Sequence, residues 1–104
     1  MFRVLPNFII IGAGRAGTTA LYSYLIQHPD IFSVYTEKND PVGDLHFFEY
    51  MISSKIDWYK SHFPTHLTKS YHERKSSFIT GEFTSTYMYH PDVPKRIFNL
   101  LPSI

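Results

Sequence analysis

Apolar residues come in short runs along this chain, separated by polar stretches, and the period of each run predicts an element. Phe8-Ile9-Ile10-Ile11 is continuous, aromatic and β-branched, and it stops at Gly12. Such a run predicts a strand buried on both faces, as in a parallel sheet. Gly12-Ala13-Gly14-Arg15-Ala16-Gly17 follows as a loop. Thr18 to Gln27 reads as a helix, with Ala20, Leu21, Tyr24 and Leu25 on its apolar face. His28-Pro29-Asp30 ends it, because proline cannot continue the hydrogen-bond ladder. Ile31 to Tyr35 predicts a second strand. Strand, glycine loop, helix and strand make a βαβ unit, with a right-handed crossover and a parallel pair.

The remainder is less periodic. Thr36 to Gly43 is polar and reads as a loop, and His46-Phe47-Phe48 forms a short apolar patch. Ile56 to Phe63 predicts a short helix ending at Pro64. Thr65 to Ser76 holds much of the charge without apolar periodicity, so an exposed connection is expected. Phe78-Ile79 suggests a short strand before Gly81. Asp92 is placed to cap a last helix, with Pro94 in its first turn and Ile97, Leu100 and Leu101 on its apolar face. Pro102 stops it. The expected fold class is α/β, with one domain over residues 1–104.

Composition narrows the function. The chain has 104 residues, 43% of them hydrophobic and 17% aromatic, which excludes a disordered chain. The net charge of +1 argues against a dedicated nucleic-acid binder. There is no cysteine, so a disulfide scaffold and a thiolate metal site are both excluded. The histidines show no metal-ligand spacing, and no metal is expected. No run is long enough to span a bilayer, and no signal-peptide core is visible. On these grounds a cytoplasmic protein is expected, or a lumenal Golgi one if the chain belongs to a longer anchored protein.

The glycine loop carries the most chemistry. It joins a strand to a helix N-terminus, where backbone N–H groups and the helix dipole favour an anion. Gly12, Gly14 and Gly17 satisfy the dinucleotide pattern G-x-G-x-x-G, and Glu37 lies about 20 residues on, where an acid would meet a ribose hydroxyl. An NAD(P)-binding oxidoreductase is therefore an alternative. Gly12 and Gly17 also fit a nucleoside-triphosphate loop, but Thr18-Thr19 stands where Lys-Ser or Lys-Thr is required. The third template is a basic residue, a small residue, then Gly-Thr-Thr opening a helix, as Arg15-Ala16-Gly17-Thr18-Thr19 does.

The third template resembles the 5′-phosphosulfate loop of sulfotransferases that use 3′-phosphoadenosine-5′-phosphosulfate. Downstream residues extend the resemblance to the carbohydrate and heparan sulfate type. They are His28-Pro29, Asp44-Leu45-His46-Phe47-Phe48, Trp58-Tyr59, Phe63-Pro64, Gly81-Glu82, Tyr87 and Pro91-Asp92-Val93-Pro94-Lys95-Arg96-Ile97. The matches fall in the family's order from Phe8 to Pro102, whereas the dinucleotide template covers only the first 37 residues.

The resemblance implies a P-loop-like three-layer α/β/α fold, here incomplete, with the βαβ unit followed by helices. It implies sulfuryl transfer to a hydroxyl or amine of a small-molecule or carbohydrate acceptor. Gly14, Arg15, Ala16, Gly17, Thr18 and Thr19 would hold the phosphosulfate, with Arg15 where the family usually has a catalytic lysine. Asp44 falls at the position of the general base, normally Glu, with Glu37 as a displaced alternative. His46 would orient the acid or contact the acceptor. Glu82, Phe83 and Thr84 lie in the acceptor-side segment, although Phe83 stands where a lysine is frequent. Trp58, Tyr59, Tyr87 and Tyr89 would stack on a sugar or fill the core. The family's second nucleotide element, an Arg and a Ser directed at the 3′-phosphate, has no counterpart before Ile104. The expectation is thus an N-terminal portion, whose uncovered sheet edge invites self-association. A non-catalytic remnant that binds an anion or a partner is the other reading.

Overall fold

A computed structural model of the chain describes residues 3–34, 45–50 and 55–104. Its elements are β1 (Phe8–Ile10), α1 (Thr18–Leu25), β2 (Ile31–Phe32), α2 (Phe47–Tyr50), α3 (Ile56–Lys60), α4 (His66–Glu73), β3 (Ile79–Phe83), a single 3₁₀ turn (Tyr87–Tyr89) and α5 (Val93–Leu100). The three strands form one parallel sheet in the order β1-β3-β2. Phe8 pairs with Gly81 and Ile10 with Phe83, and Ile31 pairs with Ile79 on the other side. The α/β class is as expected.

Two expectations change. β1 and β2 do not pair with each other; β3, last in sequence, inserts between them. β1 is accordingly an edge strand and only half-buried, not covered on both faces. The buried strand is β3, where Thr80, Gly81, Glu82 and Phe83 are all inside. Alternation divides its side chains between two faces. Phe83 meets the α1 ring of Tyr22, with centroids 5.0 Å apart. Glu82 bonds Thr84 on the opposite side, where Thr84 meets the Leu45 and His46 amides. Gly81 is needed for the β1–β3 approach, since a Cβ there would lie 2.5 Å from the Phe8 carbonyl oxygen.

α1 also presents a different face. Tyr22 is fully buried, while Leu21 and Tyr24 are 48% and 69% exposed. Thr18, Tyr22 and Ile26, four residues apart, form the inward stripe. Hydrophobicity alone selected the wrong side because the helix docks through a tyrosine. The Tyr22 hydroxyl donates to the Gly81 carbonyl at 2.8 Å and accepts from the Val34 N–H at 3.0 Å. One phenol thus joins α1, β3 and the exit of β2.

Residues 66–73 are a helix, not an exposed connection. Thr65 has extended backbone and its hydroxyl accepts from the Thr68 N–H at 3.1 Å, which starts α4. No α4 residue is fully buried, so no apolar stripe marked it. It docks through His72, whose ring is edge-on to Phe32 and whose Nε2 is 3.0 Å from Asp30 Oδ1. Ser76 donates to the other Asp30 oxygen at 2.8 Å. α3 is shorter than expected and ends at Lys60, with His62 and Phe63 closing a turn after it. α5 runs Val93–Leu100 with Pro94 in its first turn and Val93 and Ile97 inside, as read, although the Asp92 side chain makes no cap bond.

Aromatic rings fill the second layer. Phe47 stacks on Tyr59 at 4.3 Å, and Phe48 meets both Tyr59 and Tyr87 edge-on. Tyr59 and Tyr87 are thereby core residues, whereas Trp58 and Tyr89 are exposed.

Replacing Tyr22 by Phe keeps the ring and strands two buried polar groups. A loss of about 1–3 kcal/mol in urea unfolding is expected. The hydrogen bonds from Ser76 and His72 hold the Asp30 carboxyl below its ordinary value of 3.8. A depressed carboxyl stabilises the fold above that value and stops doing so as pH falls through its folded value. Asp30→Asn is therefore expected to flatten the acid limb of a stability–pH curve and leave the neutral limb's slope unchanged.

Candidate functional site

Parallel strands place their carboxyl ends on one edge of the sheet, which is where ligands bind in open α/β folds. The loop after β1 and the segment after β3 meet there. The Thr84 N–H donates to the Ile10 carbonyl at 3.0 Å, and the Met88 N–H donates to that of Ile11, also at 3.0 Å. Met88 packs so closely on Gly12 that a Cβ there would overlap its sulfur. The first glycine of the loop is thus explained by packing rather than by ligand approach.

The rest of the loop faces outward. Gly14, Arg15, Ala16, Gly17 and Thr19 are exposed, and Thr18 is buried. Gly17 has φ +91° and caps α1 without any side-chain hydrogen bond, and no acid lies in the first turn. Nothing lies within 4 Å of a Cβ built on Gly14 or Gly17. Arg15 has φ +60°, a left-handed conformation uncommon for a residue with a side chain. The Ala16 N–H closes a turn on the Ala13 carbonyl at 3.1 Å. A helix start without a side-chain cap, behind an exposed Arg15, suits an anion.

His46 stands on the other side of the same segment. Its Nδ1 lies 2.6 Å from Glu49 Oε1, and Thr86 donates to that same oxygen at 2.8 Å. An ionised carboxylate only accepts, so Nδ1 carries a proton, and in the neutral ring Nε2 is the acceptor. His46 itself has φ +55°. Beside it, Leu45, His46, Phe47, Tyr50, Lys55 and Trp58 line an open cavity of ≈ 340 Å³.

The other expected residues are placed as follows. Asp44 and Glu37 lie outside the described residues. Glu82, Phe83 and Thr84 are buried, with Phe83 against α1 and the other two beneath α2. The structure adds Glu49, Thr86 and Tyr87 to the His46 neighbourhood. Glu49 was findable from sequence, since it falls three residues after His46 at helical spacing. Thr86 and Tyr87 were not, because they arrive from about 40 residues away. Among the described residues, no group of three or more His, Asp or Glu is placed to hold a metal.

No family model matches the chain. It is 33% identical over 97 residues to the membrane-associated sulfotransferase kil1 of Dictyostelium discoideum. It is 35% identical over 103 residues to the bifunctional heparan sulfate N-deacetylase/N-sulfotransferase 1 of Caenorhabditis elegans. These alignments take in 93% and 94% of the chain. The chain is a sulfotransferase homologue. It spans 18% and 10% of the lengths of those two proteins. The crystal structure of a sulfotransferase from Alicyclobacillus acidocaldarius superposes with a TM-score of 0.61 at 24% identity, over 95% of this chain and 41% of that one. That likeness establishes the P-loop-like fold. None of these relatives is an oxidoreductase by name.

The geometry around His46 makes a direct prediction. Glu49→Ala removes the acceptor that holds the Nδ1 proton. Long-range ¹H–¹⁵N spectra of the neutral ring are expected to show the Nδ1–H form in the wild type and a shift toward Nε2–H in the variant.

Proposed function

We propose that this homologue transfers a sulfuryl group from 3′-phosphoadenosine-5′-phosphosulfate to a hydroxyl or amine of a carbohydrate. The observation that carries the reading is the uncapped α1 N-terminus behind Arg15-Ala16-Gly17-Thr18-Thr19, in a chain about a third identical to sulfotransferases. The residues present fit such a donor. Space over Gly14 and Gly17 is open, the cation is exposed, and no acid in the helix's first turn opposes an anion.

When bound, the donor supplies the sulfuryl group and a phosphate leaving group. The protein's part is to align the acceptor with it and to meet the charge that grows on the leaving oxygen. Backbone N–H groups at Gly17 and Thr18 and the exposed Thr19 hydroxyl hold the anionic oxygens. Arg15 stays protonated and grips two oxygens at once, so it acts as an electrostatic clamp rather than a proton donor. His46 has its Nδ1 proton committed to Glu49 and presents Nε2 toward the acceptor's proton. Asp44 is the second proposed proton acceptor.

A heparan-type acceptor is supported by relatives named as heparan sulfate N-sulfotransferases, such as the Caenorhabditis elegans protein. The cavity beside His46, with Trp58 and Lys55 in its wall, offers a ring surface and a cation for such a sugar. The membrane-associated name of kil1 supports a membrane-associated setting. No helix among the described residues is long and apolar enough to cross a membrane.

Transfer of labelled sulfate from the donor to a set of oligosaccharides tests the proposal. Arg15→Ala is expected to lower kcat by about 10²–10³-fold, the usual cost of removing one group that stabilises transition-state charge. Arg15→Lys should recover part of it. Unchanged turnover in Arg15→Ala removes the residue from the mechanism. NAD binding together with no response to the donor would overturn the reading.

A further inference from the structure

We propose that Glu82 is a positioning residue: buried beneath α2, it orients the Thr84 hydroxyl so that this holds the amides of Leu45 and His46, next to the two that the Tyr87 hydroxyl holds. The role of His46 rests on the transferase reading above, but the clamp is defined by hydrogen bonds alone.

The first turn of a helix leaves its N–H groups without intrahelical partners. α2 is only four residues long and cannot stabilise itself. Four successive N–H groups at its start are taken up by two buried hydroxyls. Leu45 and His46 donate to Thr84 Oγ1 at 3.2 and 3.3 Å. Phe47 and Phe48 donate to the Tyr87 hydroxyl at 3.1 and 3.4 Å. Neither hydroxyl is exposed to water, since Thr84 and Tyr87 are both fully buried.

A hydroxyl has one proton and two lone pairs. Thr84 uses both lone pairs on amides, so its proton must go elsewhere, and it goes to Glu82 Oε1 at 2.9 Å. A neutral donor-acceptor group in place of that carboxylate could turn a proton toward Thr84 and drive one amide off. A carboxylate cannot, because when ionised it only accepts. The same carboxylate bears on Tyr87, where it joins burial in pushing the phenol up. Glu82 thus fixes the direction of the Thr84 hydroxyl, while the Tyr87 hydroxyl beside it takes the next two amides. Arg96 closes the other end of the short helix, donating to the Phe48 and Glu49 carbonyls at 3.0 and 2.7 Å.

What the clamp holds is strained. His46 sits at φ +55°, a conformation that persists only where its surroundings over-determine it. Thr84 grips the amide of that very residue, and Thr86, two positions on, grips the Glu49 that holds its ring. Glu82 and Thr84 therefore act on the acceptor side through His46, without touching the acceptor.

Amide hydrogen exchange on the full chain, paired with sulfuryl-transfer kinetics, tests this. Thr84→Val is expected to speed exchange at Leu45 and His46 about tenfold, the effect of one lost hydrogen bond. Exchange in α1 should not change. kcat should fall with donor KM unchanged, and Thr84→Ser should restore both readouts. Glu82→Gln can turn its amide N–H toward Thr84 and displace one of the two amides, so it should speed exchange at Leu45 and His46. Unchanged protection at both amides in Glu82→Gln overturns the proposal. So does an equal loss in α1 for Thr84→Val, which would mean general loosening, or failure of Thr84→Ser to restore. A wild-type chain that transfers no sulfate would sink the transferase reading, and the exchange data would still decide the clamp.

Discussion

The strand at the centre of this sheet carries polar groups that cannot reach water, and the molecule is organised around satisfying them. Thr80, Glu82 and Thr84 are all fully buried. A buried hydroxyl or carboxylate without partners costs more than the strand's pairing can return. Thr80 donates its hydroxyl proton to the Phe32 carbonyl at 2.8 Å, and its N–H donates to Asn7 Oδ1 at 3.0 Å. These bonds bring the exit of β2 and the entry of β1 to the middle strand. Glu82 and Thr84 do the same for the α2 segment. The polar face of β3 works as a set of sockets, each specifying which piece of chain lies against it.

The apolar face of β3 works differently. Phe83 and Gly81 lie toward α1, and there the specific contact is the Tyr22 hydroxyl, bonded to the Gly81 carbonyl and the Val34 N–H. Burial accounts for its altered chemistry, pushing the phenol up to about 12. It therefore stays protonated and can always donate to the carbonyl. Thus α1, which begins with the proposed anion-binding turn, is fixed in rotation by one phenol rather than by a broad greasy stripe. That leaves Leu21 and Tyr24 facing out, and it sets the direction in which Gly17, Thr18 and Thr19 present their N–H groups.

The sequence revealed elements whose signals are local. The strand ending at Gly12, the turn ending at Thr18, and the last helix between Asp92 and Pro102 all depend on neighbouring residues. Their positions were read to within a residue or two. What was hidden depends on distant partners. β3 was read at its start, Phe78-Ile79, but not beyond Gly81, because its threonines and glutamate find acceptors and donors up to 73 residues away. The inward face of α1 was misread because Tyr22 counts as amphipathic until its hydroxyl is seen to have two buried partners. α4 escaped because it is held by His72 and Asp30, a polar joint with no periodic trace. At the candidate site, Arg15 and His46 were visible as residue types in a resembling pattern. Thr86, which completes the His46–Glu49 pair, was not, since only the fold brings it there.

The two sides of the site are built to opposite rules, and the proposed chemistry explains why. The His46 side is over-determined. Its backbone amide, ring nitrogen and helix end are each bonded to a group from the β3–α5 stretch. A group that takes a proton in the transition state must sit within a few tenths of an ångström of its place before the reaction starts. The Arg15 side is exposed, with its glycines open above. A phosphosulfate is large, charged and replaced at every turnover, so its cradle must admit and release it. In the proposed role a loop of N–H groups at a helix start would do so without moving the helix, because the anion itself would complete the cap that no side chain supplies. The left-handed backbone at Arg15 and Gly17 turns the chain into that cradle. Rigidity on one side and openness on the other follow from the same strand, which is buried from Thr80 to Phe83 and feeds the site at its carboxyl end.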